Sequence, residues 1–127
     1  MCSPDSVAGA LADAADIDVL VNNAGTTHLP ALLEDVSEKD FDKVFAVNAK
    51  SVYYTSKFAV PWMKQQAAGA IVNIASTAAL SPRPHLTWYN ASKGWMVTAT
   101  KSMAIELASE RIRVNAICPV AGETPLL

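Results

Sequence analysis

Ala70-Ile71-Val72-Asn73-Ile74-Ala75-Ser76 is the stretch from which the fold is read. The run is short, largely apolar and β-branched, and this predicts a buried strand over 70–75. Behind it, Ser76 to Leu86 carries Pro82 and Pro84 and reads as loop. From Thr87 to Ser109 small and apolar residues recur at helical spacing. Ile112-Arg113-Val114-Asn115-Ala116-Ile117 then predicts another strand, stopped at Cys118-Pro119. In the other direction, Gly69 reads as the stop of a preceding helix. That helix runs from Ala49 to about Gln66, with Pro61 expected to bend it. Phe41, Val44, Phe45 and Val47 continue the helical spacing toward Ser37, which with Asp40 resembles a capping box with a shortened acid. Further upstream, Ile17-Asp18-Val19-Leu20-Val21 predicts a first strand, ended by Asn22-Asn23-Ala24-Gly25. Ser3-Pro4-Asp5 has the cap, proline and acidic first turn of a helix start, and that helix is expected to reach about Ala15.

The order is therefore helix, strand, helix pair, strand, helix, strand. Strands joined by helical crossovers are expected to be parallel, with right-handed connections and helices on both faces. The expectation is one domain over 1–127, a three-layer α/β sheet.

Composition narrows the function classes. Hydrophobic residues make up 51% of the chain and charged ones 17%, the balance of a folded globular protein. With a net charge of −2 and interleaved signs, no basic stripe exists to neutralise phosphates, so no nucleic-acid partner is expected. No apolar run approaches a bilayer span and the N-terminus lacks a signal layout, so no membrane partner is expected. Cys2 and Cys118 fit no metal-ligand spacing, and no metal site is expected. Two free thiols fit a reducing, cytoplasmic compartment.

In an open parallel sheet, ligands bind beyond the carboxyl ends of the strands. Here those ends are Asn22 to Gly25, Ser76, and the stretch after Pro119. Tyr89 and Lys93 stand four apart on a predicted helix and so share a face. A phenol ionises near pH 10, and a neighbouring ammonium lowers that value. A tyrosine tuned in this way exchanges a proton with an alcohol or carbonyl oxygen near neutral pH. Taken singly, Ser76 reads as a turn residue and Asn48 as a helix cap. Asn22 reads as a buried amide that ties adjacent strands together. His28 and His85 fall on loops with no role assigned. Trp62, Trp88 and Trp95 read as packing or interface residues, and Met96 and Met103 as core or subunit contacts.

Asn22-Asn23-Ala24-Gly25, Asn48, Ser76, Tyr89-x-x-x-Lys93 and Thr124, in that order and spacing, resemble the short-chain dehydrogenase/reductase family from its fourth strand to just past its sixth. The resemblance covers essentially the whole chain. It implies a Rossmann-like fold, truncated, and an NAD(P)-dependent oxidoreductase. Such an enzyme transfers hydride between a nicotinamide cofactor, NAD or NADP, and a small-molecule ketone or secondary alcohol. It further implies that Tyr89 is the general acid or base and that Lys93 lowers its pKa and binds the nicotinamide ribose. Ser76 would hold the substrate oxygen, and Asn48 would interrupt a helix and hold a water that links Lys93 to solvent. Asn23, Ala24 and Gly25 would let the cofactor approach the backbone, and Pro119, Gly122 and Thr124 would orient its carboxamide. Helices over 49–67 and 87–109 would build a homo-oligomer interface.

Two departures from the family pattern stand out. Pro119 is followed by Val120 where the family has glycine, which narrows the wall beside the nicotinamide. The five glycines, Gly9, Gly25, Gly69, Gly94 and Gly122, do not form the Gly-x-x-x-Gly-x-Gly turn that binds pyrophosphate at a helix N-terminus. The N-terminal phosphate-binding part, the NAD/NADP-selecting residue and the C-terminal end are expected to be absent. An apolar strand edge and parts of the helix layers would then be exposed. Two functions follow: an oxidoreductase, or a truncated, catalytically inactive remnant or oligomerising interaction module.

Overall fold

All three β-branched runs form strands: β1 at Val19–Asn22, β2 at Gly69–Ile74 and β3 at Ile112–Ile117. The computed structural model describes Gly9, Ala10 and residues 17–120 of the chain. The strands are parallel, in the order β1-β2-β3. Val21 pairs with Val72, and Val72 with Asn115. β3 has the predicted bounds. β1 lies later than the expected Ile17–Val21, because β2 begins at Gly69 and Val19 is the first residue with a partner, Ala70. Of the N-terminal helix expected over 3–15, Gly9 and Ala10 are helical; the remainder lies outside the described residues.

The expected helix pair resolves into α1 at Glu38–Phe45, a π-helical turn at Ala46–Lys50, and α2 at Ser51–Gln66. The Ser37 hydroxyl accepts from the Asp40 N–H at 3.1 Å, supplying the N-cap half of the capping box. α2 passes through Pro61 without interruption, with that residue exposed. Gly69 is not its stop. Ala67 caps the helix in the left-handed conformation, φ 53° and ψ 36°, with its N–H 3.2 Å from the Lys64 carbonyl. Gly69 instead opens β2, where a Cβ would fall 2.6 Å from Met63 Sδ. The missing side chain lets α2 lie directly on the strand. α3 spans Thr87–Leu107 and ends in a 3-10 turn at Ala108–Glu110.

Met63, Ile71, Leu107, Ile112 and Val114 form the main core cluster between the sheet and these two helices. Val52, Ala75 and Met96 form a second one nearer the strand ends. Met96 is fully buried and Met103 packs on the main cluster. A polar chain crosses the same layer. Asn22 Nδ2 donates to Asn73 Oδ1 at 2.8 Å, linking β1 and β2, and the Thr55 hydroxyl on α2 donates to Asn22 Oδ1 at 2.7 Å. Asn73 Nδ2 donates to the Thr100 hydroxyl on α3 at 2.9 Å. This is the strand-tying role expected of Asn22, extended to both helices.

These contacts place α2 and α3 on one face of the sheet. The opposite face carries Val19, 56% exposed, and Val21, 54% exposed. Helices on both faces were expected; among the described residues the two long helices cover one. Trp88 packs edge-on against Phe41, with centroids 5.7 Å apart, and donates to the Leu33 carbonyl. Among the described residues, no helix is long and apolar enough to cross a membrane.

A non-glycine residue in the left-handed region costs about 1–2 kcal/mol. Part of that is offset by the smaller unfolded-state entropy of alanine. Ala67→Gly is therefore expected to raise stability by about 0.5–1 kcal/mol, measured by urea unfolding. A lower midpoint would contradict this account of the cap.

Candidate active site

The site forms where β1, β2 and β3 end. Asn23, Ala24 and Gly25 follow β1 as an extended loop, with Asn23 and Gly25 exposed. The π turn places Asn48 beneath this loop. One extra residue per turn aims its side chain inward, and the carboxamide is completely buried. Its Oδ1 accepts from the Thr26 N–H at 2.8 Å. Its Nδ2 donates to the Thr26 carbonyl at 2.8 Å and to the Ser92 hydroxyl at 3.0 Å. Asn48 is thus the clamp that holds the loop after β1 against α3.

Lys93 reaches the same place from α3. Its Nζ donates to the carbonyl of Ile74, the last residue of β2, at 3.0 Å. The residue is buried, 3% exposed. Desolvation pushes its ammonium below the ordinary 10.5. Between that lowered value and 10.5 the unfolded chain carries a proton that the folded chain has released. Folding stability therefore rises with pH across that interval.

Gly25 completes the contact. A Cβ there would lie 3.2 Å from Lys93 Nζ and 3.7 Å from Asn48 Oδ1. Here the lack of a side chain keeps the backbone close to a buried cation while the loop stays open to solvent.

Ser76 sits two residues past β2. Its hydroxyl accepts from the Ala78 N–H at 3.1 Å, starting the short helical turn at Thr77–Ala79. The Thr77 N–H donates to the Pro119 carbonyl at 3.2 Å, which brings the segment after β3 alongside. Tyr89 lies half-buried in the first turn of α3, one turn before Lys93. Of the expected site residues, Gly25, Asn48 and Lys93 are brought into direct proximity. Ser76 and Pro119 flank the same strand ends. Gly122 and Thr124 lie outside the described residues.

Sequence reasoning missed Ser92, Thr26 and the carbonyl of Ile74. The last two act through the backbone, which composition does not mark. Ser92 left a trace: serine in a helix interior competes with the backbone for hydrogen bonds, and it adjoins Lys93. His28, expected on a loop, is buried at 5% exposure, its Nδ1 2.8 Å from its neighbour's carbonyl at Leu29.

A family model described as short chain dehydrogenase matches residues 4–127. The chain belongs to this family. A 4-formylbenzenesulfonate dehydrogenase of Comamonas testosteroni is 46% identical over 123 residues, 95% of this chain and 48% of that protein. A 3-oxoacyl-[acyl-carrier-protein] reductase of Thermotoga maritima is 46% identical over 87% of this chain and 44% of its own. This short-chain dehydrogenase chain therefore spans about half the length of the curated relatives it matches. Among solved structures, a 3-ketoacyl-(acyl-carrier-protein) reductase from Brucella melitensis, complexed with NADH, superimposes with a TM-score of 0.96. It is 44% identical, with 98% of this chain and 55% of that one covered. A gluconate 5-dehydrogenase from Burkholderia cenocepacia, in complex with NADP and tartrate, gives a TM-score of 0.92 at 30% identity, covering 98% and 50%. The Rossmann-like sheet with flanking helices expected from the sequence is the fold of these oxidoreductases.

The two glycines on α3's partners and on α3 itself make opposite predictions. Gly25→Ala forces a methyl against Lys93 Nζ and is expected to cost about 1 kcal/mol. Gly94 lies inside α3, where a Cβ meets nothing within 4 Å. Gly94→Ala is therefore expected to add up to about 1 kcal/mol. Denaturant midpoints of the two variants that moved in the same direction would contradict the close approach at Gly25.

Proposed function

We propose that this chain carries the proton-transfer half of an NAD(P)-dependent oxidoreductase acting on a small ketone or secondary alcohol. The observation that carries the reading is the buried Lys93, bonded to the Ile74 carbonyl and abutting Gly25, one helical turn from Tyr89. The complexes of the structural neighbours with NADH and with NADP support either cofactor.

The bare backbone at Gly25, beside a buried ammonium, fits a ribose or phosphate-bearing ligand that must approach closely. Asn23, Ala24 and Gly25 would line the adenosine side. Lys93 would donate to the nicotinamide ribose hydroxyls, and Pro119, Gly122 and Thr124 would orient the carboxamide. When bound, a nicotinamide cofactor supplies or accepts the hydride. The chain's own residues then manage the oxygen and the proton. Ser76 donates a hydrogen bond to the substrate oxygen and sets its direction. Tyr89 gives its phenolic proton to that oxygen in reduction and takes it back in oxidation. Lys93, one helical turn along α3, presents its ammonium to the same strand end. Asn48 holds the path by which Lys93 exchanges protons with solvent.

The test is turnover of NADH or NADPH with a panel of carbonyl compounds, against Tyr89→Phe as control. The variant is expected to lose at least about 100-fold in rate while it keeps the fold. Equal rates, or none above the control, would sink the catalytic reading and leave a non-catalytic oligomerising module.

We also infer a homo-oligomer that forms through α2 and α3. A surface groove of about 510 Å³ between these helices is lined by Val52, Tyr53, Val60, Trp95, Ala99 and Met103 among others. Trp95 is 39% exposed there, an aromatic anchor of the kind found at interface centres. Trp95→Glu is expected to shift the assembly toward monomer by light scattering; an unchanged mass would count against these helices. The free, half-buried Cys118 supports a reducing, cytoplasmic setting.

A further inference from the structure

Asn48, Ser92 and Thr26 form a directed set of hydrogen bonds in which Ser92 has as yet no part in the chemistry. The carboxamide of Asn48 and the side chain of Ser92 are both fully buried. The orientation of the amide is determined, because its oxygen and nitrogen face the N–H and the carbonyl of one residue, Thr26. Both Nδ2 protons are committed, one to Thr26 and the other to Ser92. The single proton of the Ser92 hydroxyl goes to the Tyr89 carbonyl at 2.7 Å. Toward Asn48 that hydroxyl is therefore an acceptor only.

We propose that Ser92 is a positioning residue of this site, which fixes the Asn48 carboxamide and, through it, the Gly25–Thr26 backbone against Lys93. The proposal rests on the functional reading above for its purpose, though its geometry stands apart from it. Without the hydroxyl, one buried Nδ2 proton has no acceptor, and a buried donor without a partner drives rearrangement. The amide then turns or admits water, and its two bonds to Thr26 slacken. Gly25, one residue away, loses its set distance to Lys93 Nζ, now equivalent to 3.2 Å from a Cβ at that position. A serine bonded to its i−3 carbonyl for local reasons alone would leave Thr26 indifferent to its removal.

The experiment compares the full chain with Ser92→Ala and Ser92→Thr. Alanine is the better helix former, so α3 itself is not weakened by the change. Side-chain amide hydrogen exchange at Asn48, read by NMR, is expected to be slow in the wild type beside the exposed Asn23. Ser92→Ala is expected to quicken it about tenfold or more and to move the Thr26 backbone resonance, while Ser92→Thr restores both. In cofactor titrations the alanine variant is expected to show about a fivefold higher KM for NADH or NADPH with kcat changed by less than about twofold. A wild-type Asn48 amide that exchanges as fast as Asn23 overturns the proposal. So does an alanine variant whose Asn48 exchange and Thr26 resonance match the wild type. If the wild type binds neither cofactor, the oxidoreductase reading fails, and the exchange measurements still decide the role of Ser92.

Discussion

A single buried hydrogen bond, Asn22 to Asn73, is the constraint around which the described part of this chain is organised. Parallel strands have no hairpin turn to fix which residues lie opposite, so a matched side-chain pair across the ladder adds to the register that the apolar pattern specifies. Two carboxamides facing each other on one side of the sheet form that pair, and a slip of one residue would carry them to opposite faces. Thr55 then donates to the Asn22 oxygen and Thr100 accepts from the Asn73 nitrogen, which sets α2 and α3 in register with the strands. The polar groups are satisfied within a layer otherwise made of Met63, Ile71 and Leu107, so burying them is compatible with a close-packed core.

The same logic, repeated one layer nearer the strand ends, produces the site. Asn48 does for the loop after β1 what Asn73 does for the strand itself, and Lys93 does it for the end of β2. The π turn is the device that makes this possible. A regular helix from Glu38 onward would carry position 48 around the axis by a different angle, and the extra residue turns the carboxamide toward Thr26 and Ser92. An irregularity in a helix and an amine taken out of water both cost stability. Their coincidence at the one place where three strands end is characteristic of a functional site.

Much of this was legible from residue order. The strands expected over 70–75 and 112–117 and the helix from Thr87 stood out because branched apolar runs and loop prolines bracket them. β2 forms one residue earlier, at Gly69–Ile74. Tyr89 and Lys93 stood out by helical spacing once Ser76 and Asn48 were placed around them. What was not legible depends on backbone geometry. The stop at Ala67 was hidden because alanine in a left-handed conformation has no sequence signature, and Gly69 drew attention two residues too late. The contact that requires Gly69 is with Met63, a partner reached only once α2 has folded back onto β2. The loop amides and carbonyls that hold Asn48 and Lys93 belong to Thr26 and Ile74, whose side chains give no hint of it. Nothing in the residue order marks His28 as more than a loop residue, and its burial against the backbone of Leu29 is a property of the loop path.

The separation in sequence between Asn22 and Asn73 also has a consequence in time. The two partners are 51 residues apart, so a ribosome adding about 5–20 residues per second delivers the second about 3–10 seconds after the first. Throughout that interval the first strand has no neighbour on its β2 side, and water must solvate the carboxamide that will later be sealed inside. The segment from Ile17 to Gly25 therefore waits for its β2 partner while α1 and α2 are still being made, before the lysine at position 93 has been added.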